Sequence, residues 1–184
     1  MIGEFLLRIT TALEMSGIPY MLTGSLASSM YGIPRSTNDI DLVIEPTRTQ
    51  VLAFVELLTR VGLTVHRETA LNALRNRTQF NVIDFRRGWK VDLIIRKDRE
   101  FSVVEFARKE KHDVAGMSLT LATPEDIVLA KLEWAKISPS ERQIDDIVGV
   151  LRMQAHSLDW HYIEHWVQVL NLQHELALAR DRAG

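Results

Sequence analysis

Apolar residues recur at helical spacing near the start of the chain, at Ile2, Phe5, Leu6, Ile9 and Leu13, and Gly17 then ends the predicted helix. Tyr20-Met21-Leu22-Thr23 reads as a short strand that runs into Gly24-Ser25. A second helix is predicted from near Leu26 to just before Gly32 or Pro34. In residues 39–44 apolar Ile40, Leu42 and Ile44 alternate with Asp39, Asp41 and Val43, the period of a strand. Pro46 and Thr47 open a helix to about Arg60, closed by Gly62; residues 63–67 read as extended and 68–76 as a short helix. Residues 80–85 and 90–95 form two strands joined at Arg86-Arg87-Gly88-Trp89, a hairpin. Residues 101–111 fit a helix slightly better than a strand, and 119–122 a short strand or a lead-in.

The pattern changes character near residue 120. Thr123-Pro124-Glu125-Asp126 combines a cap, a proline at the first helical position and acids in the first turn, starting a helix to about residue 137. Ser140 with Gln143 reads as a capping box for a helix to about 154. Asp159 caps a third, and Asn171 breaks it before a last short helix. Strands thus alternate with helices over 1–120, and 121–184 is helical throughout.

With 184 residues and 46% hydrophobic content, the chain can bury one core, or one core and a small appendage. The net charge of −2 and pI of about 6.3 give no strongly basic surface overall. Eleven of the 22 Lys and Arg nevertheless fall between Arg75 and Lys111, beside six acids. That stretch is either a local positive field for a polyanion or a solvated face of mixed charge. The absence of cysteine excludes disulfides and thiolate ligands. The segment Met1-Ile2-Gly3-Glu4-Phe5 lacks the basic start of a signal peptide, and no apolar run approaches the roughly 18 residues of a membrane span. A cytoplasmic protein with no membrane partner is expected.

The chemistry-bearing residues are few and ordered. Gly24-Ser25 stands between a strand and a helix, where glycine lets backbone approach a phosphate and the helix start offers unpaired N–H groups; a plain tight turn would look the same. After thirteen further residues come Asp39 and Asp41. On one strand they point the same way, roughly 6–7 Å apart. Such carboxylates repel unless a cation sits among them, and a pair of Mg²⁺ ions roughly 3.5–4 Å apart is a common solution. An exposed strand end neutralised by Arg35 is the alternative. Asp92 lies inside the apolar run Val91-Asp92-Leu93-Ile94-Ile95, where an acid needs a partner; on a neighbouring strand it can reach the same ions and take a proton. Asp84, in Ile83-Asp84-Phe85, competes for that role. Lys131 shares a helix face with Ile127 and Trp134, so it either snorkels to water or meets an anion. Arg142 and Asp146 could form an ordinary helix ion pair. His161 and His165 are four apart, but Tyr162, Ile163 and Glu164 between them do not make a metalloprotease motif, and a solvated face is expected. Trp160 and Trp166 read as core.

This constellation resembles the nucleotidyltransferase superfamily that includes DNA polymerase β. Its pattern is an apolar residue, Gly, Gly or Ser, a gap of roughly nine to thirteen residues, Asp-apolar-Asp/Glu, and a third acid on a later strand. Gly24, Ser25, Asp39, Asp41 and Asp92 occupy those places, and the match spans residues 18–95. Thr123-Pro124-Glu125-Asp126-Ile127-Val128-Leu129-Ala130-Lys131-Leu132 and Arg142-Gln143-Ile144-Asp145-Asp146-Ile147 are similar to small bacterial nucleotidyltransferases related to AbiEii-type toxins. There a helix lysine and a later aspartate complete the nucleotide site; Lys131 and Asp146 match, with Asp145 the close alternative, at an interval shorter than in the better-known toxins.

The resemblance implies an α/β (α+β) nucleotidyltransferase fold: a mixed β-sheet flanked by helices as catalytic core over 1–120, and a C-terminal helical bundle over 121–184. It implies transfer of a nucleoside monophosphate from an NTP to a hydroxyl, with release of pyrophosphate. Asp39 and Asp41 would bind two Mg²⁺ ions and Asp92 the second of them while activating the acceptor; Gly24 and Ser25 would hold the triphosphate, helped by Arg35, Lys131 and Asp146. The acceptor would be RNA, tRNA or protein in a toxin-like role with an antitoxin partner. A small acceptor such as an aminoglycoside or lincosamide is the alternative, and a non-catalytic nucleotide-binding relative is the rival from another class.

Overall fold

A computed structural model describes residues 2–184. Its contacts divide the chain into a strand-rich unit, Met1–Leu22 with Thr37–Leu121, and a helical unit, Thr23–Ser36 with Ala122–Gly184.

The strand-rich unit is built on a six-stranded mixed sheet in the order β3-β4-β2-β1-β6-β5. Its strands are β1 (Tyr20–Thr23), β2 (Asp39–Ile44), β3 (Gln79–Asp84), β4 (Trp89–Ile95), β5 (Glu110–Val114) and β6 (Met117–Leu121). β2 runs parallel to β4 and β1 to β6, whereas β3–β4 and β5–β6 are antiparallel hairpins. On β2, β3 and β4 the alternate residues Ile40, Leu42, Ile44, Phe80, Val82, Val91, Leu93 and Ile95 are all buried. Parity therefore commits the intervening residues Asp39, Asp41, Asn81, Lys90 and Asp92 to the opposite face. The helices of this unit are α1 (Ile2–Met15), α3 (Arg48–Arg60), α4 (Arg67–Asn76) and α5 (Glu100–Arg108). α1 packs on α3, α3 on α4, and α4 on β3. α3 starts with a complete capping box between Thr47 and Gln50.

One sequence expectation changes in this unit. Residues 101–111 do not form one helix: α5 ends at Arg108 and β5 follows at once. Glu110-Lys111-His112-Asp113-Val114 lacks apolar alternation because β5 is an edge strand, and charge there discourages pairing with another chain. The β5–β6 turn places Ala115 and Gly116 at φ +52° and +78°, the two positive values that match a hairpin's twist.

The helical unit comprises α2 (Gly24–Tyr31), α6 (Pro124–Ile137), α7 (Glu141–Gln154), α8 (Trp160–Leu170) and α9 (Gln173–Ala183). Thr123 caps α6 as expected, accepting from the Asp126 backbone N–H at 3.3 Å. The wholly buried Asp126 carboxylate accepts from the Thr123 hydroxyl at 2.7 Å and from the Tyr162 hydroxyl of α8 at 2.6 Å, satisfying both its oxygens. The Ser140–Gln143 capping box does not form, since Ser140 makes no side-chain cap bond. Gln143 accepts instead from Lys131 at 3.0 Å.

α2 packs on α6 and α7. Its end meets α7 backbone to backbone: a Cβ on Gly32 would lie 2.8 Å from Gly149 C and Val150 N, and one on Gly149 3.0 Å from Ile33 N. Gln154 reinforces the contact by donating to the Tyr31 carbonyl at 3.0 Å. Gly32→Ala must push two backbones apart, and we expect a loss of about 1–3 kcal/mol of unfolding free energy in denaturant titrations.

Candidate active site

Two groups of polar residues stand out, one in each unit. In the strand-rich unit, the parallel register pairs Asp39 with Lys90 and, two residues on, Asp41 with Asp92. Paired residues share a face, and neighbouring strands lie about 4.8 Å apart, so Asp41 and Asp92 are held side by side. The flanking Ile40, Leu42, Val91 and Leu93 are buried, and they prevent either strand from turning its acid away. Asp92 is opposed from β3 by Asn81, whose amide donates to Asp92 Oδ1. Lys90 Nζ lies 3.1 Å from Asp92 Oδ2. Both carboxylate oxygens of Asp92 thus have donors from this chain.

Asp84 faces the other way. It is buried on the Phe80–Val82 side of β3, accepts from Arg8 at 3.3 Å, and takes the backbone N–H groups of Arg86 and Arg87 at 3.0 and 3.3 Å. It organises the β3–β4 turn, and Asp92 is the acid that shares a face with Asp41.

In the helical unit, Gly24 opens α2 at φ +68°, a value glycine takes without strain. Ser25 is in its first turn. Arg35, in the segment after α2, donates to Ser25 Oγ at 2.6 Å and forms a fork on Asp146 of α7, at 2.7 Å to Oδ1 and 2.9 Å to Oδ2. Lys131 of α6 donates to Asp146 Oδ2 at 2.7 Å with its side chain only 5% exposed. The lysine on the apolar face therefore meets an anion rather than snorkelling. Arg35, which sequence alone also allowed as partner to Asp39 and Asp41, binds Ser25 and Asp146. Burial pushes the Asp146 carboxyl upward, but hydrogen bonds and charge from Arg35 and Lys131 outweigh it and hold its pKa below the ordinary value. Asp145 is exposed and lies 3.9 Å from Arg182, so Asp146 is the aspartate that meets the lysine. His161 and His165 are exposed on α8, and Trp166 is buried.

Ser25, Arg35, Lys131 and Asp146 converge, as do Asp41 and Asp92 with Asp39 one step along the strand. Asn81, Lys90 and Gln143 were missed. Lys90 was legible, being two residues from Asp92 on a strand; Asn81 required the hairpin register, and the apparent capping box hid Gln143.

The donor set on the sheet face suits a hard divalent ion, which takes carboxylate oxygens. Among the described residues no three His, Asp or Glu side chains stand close enough to grip one as they are. Asp39, Asp41 and Asp92 nonetheless share one face in register, so side-chain rotation of Asp92 off Lys90 and Asn81 is what ligation would require.

No protein-family model and no curated protein matches the chain. Solved structures do. ANT(2″)-Ia in complex with adenylyl-2″-tobramycin aligns over 98% of each chain at TM-score 0.60 and 16% identity. The lincosamide antibiotic adenylyltransferase LnuA, lincomycin-bound, aligns over 80% of this chain and 95% of its own at TM-score 0.55 and 13% identity. This chain has a nucleotidyltransferase fold. An antigenic nucleotidyltransferase-like protein from Paracoccidioides brasiliensis shares that fold over 94% of this chain and 91% of its own, at TM-score 0.54 and 16% identity. Within the fold, the mixed sheet and the helices on it agree with the expected architecture. No helix among the described residues is long and apolar enough to cross a membrane.

Asp146 neutralises two cations, so Asp146→Asn leaves Lys131 buried without a full counter-charge. A loss of about 2–4 kcal/mol of stability is expected at neutral pH. Because its folded pKa lies below the unfolded value of about 3.9, wild-type Asp146 contributes fully above that pH and progressively less as pH falls through the lower folded value. Unfolding measured from pH 7 down to pH 2 should therefore show the gap between wild type and Asp146→Asn closing below about pH 4.

Proposed function

We propose that the protein is a metal-dependent nucleotidyltransferase that moves a nucleoside monophosphate from an NTP to an acceptor hydroxyl and releases pyrophosphate. The observation that carries this reading is the register of β2 on β4, which puts Asp41 beside Asp92 with Asp39 on the same face. An apolar sheet gains nothing from adjacent carboxylates, and a cation bound between them removes the repulsion.

Asp39 and Asp41 would hold Mg²⁺, with Asp92 a ligand to the second of two ions. Divalent ions so bound would supply charge stabilisation to the phosphoryl group during transfer. Asp92 accepts the proton of the acceptor hydroxyl, whose oxygen attacks the α-phosphorus. The bond from that phosphorus to the bridging oxygen of the β-phosphate breaks, and pyrophosphate carries the electron pair away. Gly24 and Ser25 offer the N–H groups of the α2 start and a hydroxyl to the triphosphate. Arg35 and Lys131 add positive charge, and Asp146 holds both in place.

Two observations favour a small hydroxylated acceptor. The alignment with ANT(2″)-Ia, held with an adenylylated aminoglycoside, covers nearly the whole of both chains. Four of the eleven basic residues in the 75–111 stretch are also already paired with acids: Arg77 with Asp98, Arg87 with Glu4, Arg96 with Glu45 and Lys90 with Asp92. The second reading is an RNA, tRNA or protein acceptor in a toxin-like role, supported by the match of Lys131 and Asp146 to the pattern of toxin-related enzymes.

The test is transfer of label from each α-labelled NTP, with Mg²⁺, into aminoglycosides and lincosamides, total RNA and the protein itself. Labelled antibiotic supports the first reading, and labelled RNA or protein the second. Asp41→Ala should lower transfer at least about 10²-fold with the fold intact by circular dichroism. Undiminished transfer by that variant would exclude the proposed role of the carboxylates. If RNA is the acceptor, its binding should weaken steeply between 50 and 200 mM salt, roughly in proportion to the phosphates contacted, as binding of a small molecule would not.

A further inference from the structure

Lys90 lies on the acidic face of the sheet, and the proposed reaction gives it no role. Its position is fixed twice. Val91 is fully buried between Lys90 and Asp92, so those two side chains leave β4 on the same side. The register then sets Lys90 opposite Asp39 on β2, one step from the pair Asp41–Asp92. The face is therefore a block of two rows: Asp39 beside Lys90, and Asp41 beside Asp92. Three carboxylates share it with one ammonium. That ammonium holds Asp92 Oδ2 at 3.1 Å, and Asn81 holds the other oxygen.

An exposed Lys–Asp pair is ordinarily worth little. This one differs in its surroundings. Asp92 is only 15% exposed, and its neighbour across the strands is another carboxylate. Lys90 offsets part of the repulsion that the register imposes, in the place where a divalent ion would do the same.

We infer that Lys90 is a built-in counter-cation that competes with a divalent metal ion for Asp92, and so weakens metal binding by the protein without nucleotide. The inference rests on the proposed metal-binding role of Asp39, Asp41 and Asp92. For an ion to take Asp92 Oδ2, Lys90 must release it. Its flexible four-carbon stem and half-exposed position allow the ammonium to swing to solvent. Lys90 acts on the affinity twice over. Its bond to Asp92 must be broken, and its charge remains nearby to repel the arriving ion. Removing the charge removes both effects.

The test is Mn²⁺ binding to nucleotide-free protein at low ionic strength, followed by the electron paramagnetic resonance signal of the unbound ion. Wild type is compared with Lys90→Met, Lys90→Arg and Asp41→Asn, each checked for folding by circular dichroism and thermal melting. Lys90→Met should bind Mn²⁺ about tenfold more tightly than wild type, and the gain should shrink as salt is raised. Lys90→Arg keeps the charge and should stay within about twofold of wild type, which a purely packing role for the side chain does not predict. Weaker binding in Asp41→Asn, with no gain in Lys90→Met, would overturn the competing role and leave the metal site standing. Equal binding by wild type and Asp41→Asn would overturn the metal reading of this face, and the role of Lys90 with it.

Discussion

The parallel register between β2 and β4 is the constraint from which the chemistry of the strand-rich unit follows. It is locked by apolar side chains on the buried face, where Ile40, Leu42 and Ile44 pair with Val91, Leu93 and Ile95. A slip of one residue would bury Asp41 and expose Ile40, at a cost no loop could offset. The core therefore sets the position of the acids on the opposite face. Asp41 and Asp92 stand together because the hydrophobic alternation of two distant segments leaves them no other place. The same parity separates Asp92 from Asp84, which lies within the same kind of sequence pattern yet serves a turn.

The helical unit achieves convergence by a different route. Asp146 receives a planar fork from Arg35 and a single ammonium from Lys131, and those cations come from a loop and from a second helix. One carboxylate thereby fixes two long, entropically costly side chains that would otherwise sample many rotamers. Gly32 and Gly149 make this possible, because the close approach of α2 to α7 keeps the segment carrying Arg35 beside the helix carrying Asp146. Arg35 also reaches Ser25, so the carboxylate, the two cations and the hydroxyl form one connected polar cluster.

Much of this was legible in the sequence, for physical reasons that differ by element. The strands carrying Asp39, Asp41 and Asp92 were readable because half-buried strands must alternate. α6 was readable because Thr123, Pro124 and Asp126 each answer a separate demand of a helix start. β5 was not, since an edge strand is selected for charge rather than for alternation. The choice between Asp84 and Asp92 needed strand pairing, because each looks the same within its own strand. Gln143 was misread because a local cap and a long-range partner compete for one side chain, and the buried ammonium of Lys131 won it. The nucleotidyltransferase fold was recognisable from the spacing of Gly24, Ser25, Asp39, Asp41 and Asp92, and the solved structures bear out that fold.

The helical unit draws on two stretches separated by the whole of residues 37–121. On the ribosome, α2 and Arg35 are made long before the helices they pack against exist. At about 5–20 residues per second, several seconds pass before α6 and α7 follow. During that interval Gly32 has no α7 backbone to lie on, and Arg35 has no Asp146 to hold. The segment carrying Arg35 is thus the first part of its unit to be synthesised and among the last able to reach its final geometry. The last strand of the sheet, β6, likewise leaves the ribosome before the helices on which this segment packs.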